Sequence, residues 1–202
     1  MIRTEFALAA FACAAFAAWY ALGASVSRRT PARLDTEAVA LRGVGTPIAA
    51  VFTQLGYWPA LTVFGALVVG LTWTGVDRAW LPAALVASHA LSQTAIVLVK
   101  PAFHRTRPDY WLVRHEADTS YPSGHASTAV TFYAALALLT WHARLPEPLQ
   151  IAASVALAAC VAGIPWSRLA LGAHYLSDVI GGLTFGSAWL AASLAIGLRF
   201  VR

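Results

Sequence analysis

The chain has 202 residues, 59% hydrophobic and 11% charged, with a net charge of +5 at pH 7. Soluble domains carry about 25% charged residues, so this composition excludes an ordinary water-soluble globule and points to a bilayer as solvent. Nucleic acid is not expected as a partner, because Lys100 is the single lysine and the arginines are scattered between apolar runs, not gathered into a contiguous basic stripe.

Six apolar stretches run along the chain, at residues 6–24, 58–76, 80–99, 125–141, 149–164 and 179–198. Crossing hydrocarbon takes about 20 helical residues, so the expected fold is all-α: one membrane-embedded domain, 1–202, with six transmembrane helices in a bundle. The first stretch has Arg3 before it and Leu22-Gly23-Ala24 at its end, resembling the cleavage site of a signal peptide. Its apolar run is longer than the roughly 7–15 residues of a signal sequence core, which favours a retained span. In the segment that follows, Leu34, Ala38 and Leu41 share a helical face while Asp35, Glu37 and Arg42 are polar, so helices lying along the interface are expected there. His89, Ser92 and Gln93 fall inside the third stretch and suit hydrogen bonds between helices. Cys13 and Cys160 sit in apolar runs without ligand neighbours and read as small core residues. Gly182 and Gly186 allow close helix contact, from which no oligomer follows.

Charge does not orient the chain. With the N-terminus inside, the inner side carries Arg3, Arg78, Arg144, Arg199 and Arg202, and the outer side carries more, including Lys100, Arg107 and Arg168. The positive-inside rule would prefer the reverse, but those last three read as site residues and are poor indicators of topology.

The informative polar residues fall in two loops with two crossings between them, so both open on one side. The first holds Lys100-Pro-Ala-Phe-His-Arg-Thr-Arg107-Pro108 and then Pro122-Ser123-Gly124-His125; the second holds Ser167-Arg168 and, beyond it, His174 and Asp178. Lys100, Arg107 and Arg168 supply fixed positive charge suited to phosphoryl oxygens. Ser123 and Gly124 stand where a helix begins, and its free N–H groups and dipole favour an anion. His174 and Asp178 are four apart, on one helical face, so the carboxylate can hold one imidazole nitrogen protonated and leave the other to attack. His125 is then a second imidazole, able to protonate a leaving oxygen. His104 and Arg105 could touch substrate. His115 and His142 read as solvated loop residues, and Tyr110, Trp111 and Tyr121 as an interfacial aromatic belt or the lining of an access groove.

These segments resemble the three signature motifs of the type-2 phosphatidic acid phosphatase superfamily, KxxxxxxRP, PSGH and SRxxxxxHxxxD, matched in order without substitution. The resemblance covers the chain from about the third to the sixth apolar stretch, with the motifs within 100–178, and implies that Lys100, Arg107, Ser123, Gly124 and Arg168 bind phosphate. It implies that His174 is the nucleophile, His125 the acid and Asp178 the partner of His174. It also implies a multi-pass protein of the bacterial cytoplasmic membrane, with both termini inside and the catalytic loops facing the periplasm or cell exterior.

The expected reaction is hydrolysis of a terminal phosphate from a lipid phosphate or diphosphate through a phosphohistidine intermediate. Undecaprenyl diphosphate, phosphatidylglycerol phosphate and phosphatidic acid all fit; a lipid A phosphatase or a lipid phosphotransferase is the alternative within the class. No cofactor or metal is expected, because no cluster of carboxylates lies near the motifs outside Asp178. A transporter is the alternative of another class, but it would place ionisable residues near the membrane midplane, whereas these lie at span ends.

Overall fold

Hydrocarbon offers no water to satisfy backbone amides, so helix is the local structure open to each long apolar run. The computed structural model describes residues 4–27, 31–73, 80–110, 112, 116, 118–142 and 145–200, and every regular element among them is helical. Helix α1 spans Thr4–Val26. A short α2, Arg33–Glu37, runs into a 3-10 turn, Ala38–Leu41, and is followed by α3, Thr46–Leu55, and α4, Trp58–Trp73. Next come α5, Trp80–Phe103, then α6, Gly124–Thr128, joined through a π-helical turn, Ala129–Ala134, to α7, Ala135–His142. The chain closes with α8, Glu147–Ala170, and α9, Leu176–Phe200.

By length and apolarity, α1, α5, α8 and α9 are long enough to cross a bilayer. The described part of α4 has 16 residues, and residues 74–76 of the expected second span lie outside the described residues. The expected fourth span is divided by the π turn. Four described helices therefore meet the criterion, and a count of six rests on reading α4 and the α6–α7 rod as crossings too. The segment after α1 is helical as expected: residues Arg33–Leu41 and Thr46–Leu55 meet at 113°, with Leu34, Val39, Ile48 and Val51 exposed on them. Trp111, His115 and the side chain of His142 lie outside the described residues, as do Arg3, Arg28, Arg29, Arg78, Arg114, Arg144 and Arg202 from the charge count.

Small residues set the helix spacing. Helix α9 packs along α1, where Trp19, Phe103, Tyr121 and Phe185 interlock edge to face. On its other side α9 presents Gly182 and Gly186 to the start of α6; a Cβ on Gly182 would lie 2.3 Å from the Ser123 carbonyl oxygen. The glycine pair thus serves contact within the chain. Gly163 of α8 likewise admits the Phe52 ring of α3.

The loop from 104 to 123 and the loop from 171 to 175 share one end of the bundle, where Leu112 N–H donates to the Leu171 carbonyl at 3.0 Å. Glu147 starts α8 at the opposite end. Single cysteines, Asp109→Cys and Glu147→Cys, in a background without Cys13 and Cys160, are expected to react with an impermeant thiol reagent from opposite sides of the membrane. Labelling of both from one side would refute this topology.

Candidate active site

His174 lies in the loop between α8 and α9, buried, with its two nitrogens facing different partners. Arg107 Nη1 stands 3.0 Å from Nε2. A guanidinium only donates, so Nε2 carries a lone pair and Nδ1 the proton. Nδ1 faces Ser120 Oγ at 3.4 Å and Asp178 Oδ2 at 3.5 Å. Asp178 is fully buried in the first turn of α9. There Oδ2 accepts from the Tyr175 N–H at 2.9 Å and from Ser120 Oγ, while Oδ1 accepts from Arg105 Nη1 at 2.6 Å. The pairing read from the i,i+4 spacing is therefore present, with Ser120 bonded to Asp178 beside it.

The three expected cations converge at this end. Arg107 also donates from Nη1 to the Ala173 carbonyl at 3.1 Å. Arg168, fully buried, donates from Nη1 to Thr53 Oγ1 at 2.6 Å and from Nη2 to Glu116 Oε1 at 2.7 Å. The sequence shows no cluster of carboxylates near the motifs outside Asp178, and the structure adds two single ones, each paired with the site cations. Glu116 bridges Arg168 and Arg107, the latter at 2.7 Å, and Asp118 bridges Lys100 and Arg107. Both stand on a loop between the motifs, where sequence spacing has no periodicity to reveal them. Each engages cations, and Arg107 is shared by both. Burial alone would raise the Asp118 carboxyl, but Lys100 and Arg107 together hold it below the ordinary carboxylate range. His174 is held well below the usual imidazole range, first by burial and then by Arg107, Arg168 and Lys100.

His125 sits in the first turn of α6, against the end of α3. The Tyr57 ring meets it edge-on at 4.5 Å, and Gly56 leaves room for it, since a Cβ there would lie 2.2 Å from His125 Cδ2. Thr53 offers it a backbone carbonyl. Among the described residues, His125 Nε2 and Arg168 Nε are buried without a partner, donors or acceptors that a bound group would satisfy. Ser123 caps α6, its Oγ accepting from Ala126 N–H at 3.4 Å, while its own N–H donates to the Asp178 carbonyl at 3.1 Å. Ser123 thus shapes the turn, and the Gly124 and His125 N–H groups are the ones that lack helical acceptors.

Thr53 and Tyr57 were invisible in the sequence because they lie on the interfacial segment, far from every motif. Arg105, which by its place in the first motif could touch substrate, is buried against Asp178 and Asp35. His104 is exposed, with a left-handed φ of 47°. Tyr121 is fully buried and its hydroxyl donates to the Trp19 carbonyl, so it lines no access groove; Tyr110 is exposed and packs on Arg42. His89 and Ser92 bond Thr131 across to the π turn, at 2.9 and 3.3 Å, as expected of interhelical polar residues. Gln93 Nε2 is buried without a partner.

The profile of the PAP2 superfamily matches residues 81–202. The chain is 37% identical over 127 residues to a lipid A 1-phosphatase of Rhizobium johnstonii, covering 58% of this chain and 48% of that protein. It is 39% identical over 77 residues to a putative undecaprenyl-diphosphatase of Escherichia coli, covering 38% of this chain and 34% of that protein. The chain thus spans about half or less of the length of these relatives. The crystal structure of a transmembrane PAP2 type phosphatidylglycerolphosphate phosphatase from Bacillus subtilis superposes with a TM-score of 0.76. It covers 94% of this chain and 96% of that one, at 21% identity, a likeness of fold.

The depressed His174 predicts a pH profile. If His174 is the attacking group it must be neutral, and an imidazole's ordinary midpoint is about 6.5, so the acid limb of kcat/KM is then expected well below that value. Arg107→Gln removes a positive charge from Nε2, lets the imidazole protonate at higher pH and moves the normalised limb toward neutrality. An unmoved limb would detach it from His174.

Proposed function

The chain belongs to the PAP2 superfamily, and from that premise we propose that it is an integral membrane lipid phosphatase. Its reaction is hydrolysis of a terminal phosphate from a lipid phosphate or diphosphate through a phosphohistidine on His174. The observation that carries this reading is the orientation of His174: Nδ1 turns to Asp178 and Ser120, and Nε2 turns to the guanidinium of Arg107. A lone pair aimed at a cluster of phosphate-binding cations is the arrangement an in-line attack on phosphorus needs.

In the first step Nε2 forms a bond to phosphorus as the bond to the leaving oxygen breaks, and His125 gives that oxygen a proton. In the second, the now neutral His125 takes a proton from water, the water oxygen bonds to phosphorus, and the phosphorus–nitrogen bond breaks. Asp178 stabilises the positive charge on His174 while it is phosphorylated. Lys100, Arg107 and Arg168, with the N–H groups of Gly124 and His125, hold the equatorial oxygens where charge collects. Those cations supply the electrostatic stabilisation a metal would give, so the reaction proceeds without one. We assign six crossings, counting α4 and the α6–α7 rod, in the cytoplasmic membrane, with the site facing the periplasm or cell exterior. The partner is the lipid substrate itself. Similarity to a lipid A 1-phosphatase supports a phosphorylated glycolipid, and similarity to a putative undecaprenyl-diphosphatase supports a polyprenyl diphosphate. Both present a terminal phosphate at head-group level.

Purified protein assayed in EDTA against phosphatidic acid, phosphatidylglycerol phosphate, undecaprenyl diphosphate and lipid A should release phosphate and be inhibited by vanadate. Rapid quench should trap an acid-labile phosphoenzyme that His174→Ala abolishes. Turnover lost in chelator and restored by a divalent ion, or a phosphoenzyme persisting in His174→Ala, would overturn the mechanism.

The role of His125 separates the substrates. An alcohol leaves phosphatidic acid as a strongly basic alkoxide unless protonated, whereas the phosphate monoester released from a diphosphate has a second pKa of about 6 and departs unaided. General acid catalysis is worth about 100- to 10,000-fold, less for a good leaving group. In single-turnover measurements His125→Gln is expected to slow phosphatidic acid hydrolysis far more than undecaprenyl diphosphate hydrolysis. Equal slowing would withdraw the acid assignment.

A further inference from the structure

Arg105 and Asp35 take no part in the phosphoryl transfer, yet both are buried, and they meet behind Asp178. Arg105 Nη1 donates to Asp178 Oδ1 at 2.6 Å and to Ser177 Oγ at 2.7 Å, and Nη2 donates to Asp35 Oδ2 at 2.8 Å. The Tyr175 ring covers the guanidinium, 4.6 Å from its carbon. Asp35 Oδ1 accepts from Ser177 N–H at 2.8 Å and from Ser177 Oγ at 2.6 Å, and Oδ2 accepts from Ala32 N–H at 3.0 Å. The interfacial helix α2 is therefore fastened to the loop that carries His174 through one arginine and one aspartate.

The two oxygens of Asp178 divide their work. Oδ1 faces Arg105, and Oδ2 faces Ser120, the Tyr175 N–H and His174 Nδ1. A carboxylate wholly out of water keeps its charge only if its lone pairs are met. We propose that Arg105, itself held in place by Asp35, is a positioning residue for catalysis that fixes the rotation of Asp178 and its charge, and through it the tautomer of His174. The inference rests on His174 being the nucleophile. The titratable and charged groups around Asp178 are Arg105, Tyr121, His174 and Tyr175, with Asp35 behind Arg105.

The test uses the 202-residue chain in nanodiscs, with whichever of phosphatidic acid, phosphatidylglycerol phosphate, undecaprenyl diphosphate and lipid A it turns over fastest as substrate, and vanadate as the probe of binding. Arg105→Gln is expected to lower kcat about 10- to 100-fold, the range for partners that orient a reacting group, with KM and vanadate inhibition nearly unchanged. Without its positive charge the Asp178–His174 pair captures a proton at higher pH, so the acid limb of kcat moves up. Arg105→Lys keeps the charge but loses the fork, and should restore the limb and part of kcat. Asp35→Asn combined with Arg105→Gln removes the stranded carboxylate, and should recover thermal stability without recovering kcat. Wild-type kcat in Arg105→Gln, a parallel loss of vanadate affinity, or recovery of kcat together with stability in the double variant would each overturn the proposal. An inactive wild type would instead strike the underlying phosphatase reading.

Discussion

The structure turns on the burial of one carboxylate. Asp178 is out of water, and removing a carboxylate from water without partners costs several kcal/mol. Its side chain meets a guanidinium from the 104–123 loop, a hydroxyl from the same loop and a backbone N–H from its own helix start. Its main-chain carbonyl takes the N–H of Ser123, which begins α6. One residue therefore ties α9, α6 and the loop after α5 to each other, and the two histidines ride on segments that those bonds hold in register.

Helix packing supplies the remaining constraint. The start of α6 can lie against α9 because Gly182 and Gly186 carry no side chain there; any Cβ on Gly182 would overlap the Ser123 carbonyl. On the opposite flank Gly56 lets α3 close on His125, and Gly163 lets α3 seat its Phe52 ring in α8. Close approach of backbones in lipid depends on small residues, since apolar side chains gain nothing from leaving one hydrocarbon for another. The glycines that set helix spacing are in this way the same ones that bring the catalytic turn and the interfacial segment to His125.

Fold class and the pairing of His174 with Asp178 were legible in the sequence because both rest on local spacing. Apolar runs long enough to span announce helices, and His174 and Asp178 at four residues apart announce a contact, which forms although His174 lies in the loop just before α9. What was not legible depends on tertiary contact. Asp35 reads as one more polar residue on an amphipathic segment, yet it lies against Arg105, 70 residues away in sequence. Glu116 and Asp118 stand in a loop without period, so nothing local shows that they reach Lys100, Arg107 and Arg168. Arg105 lies inside a motif rich in cations that suggest phosphate, and only its buried partners show that it serves the carboxylate side. Tyr121 looks like a belt aromatic from its position and is instead a core residue, because the loop that carries it folds inward onto Trp19 and Phe103.

Charge balance joins these parts. Lys100, Arg105, Arg107 and Arg168 face Asp35, Glu116, Asp118 and Asp178, four cations against four carboxylates in one cluster beside the membrane. Burial and the neighbouring cations keep His174 neutral, so it adds nothing to either side. A neutral cluster can be withdrawn from water where a net charge could not. The two halves differ in what a phosphate can do to them. Arg105 and Asp35 are closed on each other and on Asp178, with no donor turned toward the lone pair of His174 Nε2. Glu116 and Asp118 instead hold the very donors, on Lys100, Arg107 and Arg168, that phosphoryl oxygens require under the proposed reaction. An incoming phosphate therefore exchanges with loop carboxylates and does not meet bare cations, while the Asp178 side stays paired throughout. Under the proposed reaction, the site keeps His174 oriented by one set of ion pairs and makes room for substrate by exchanging the other.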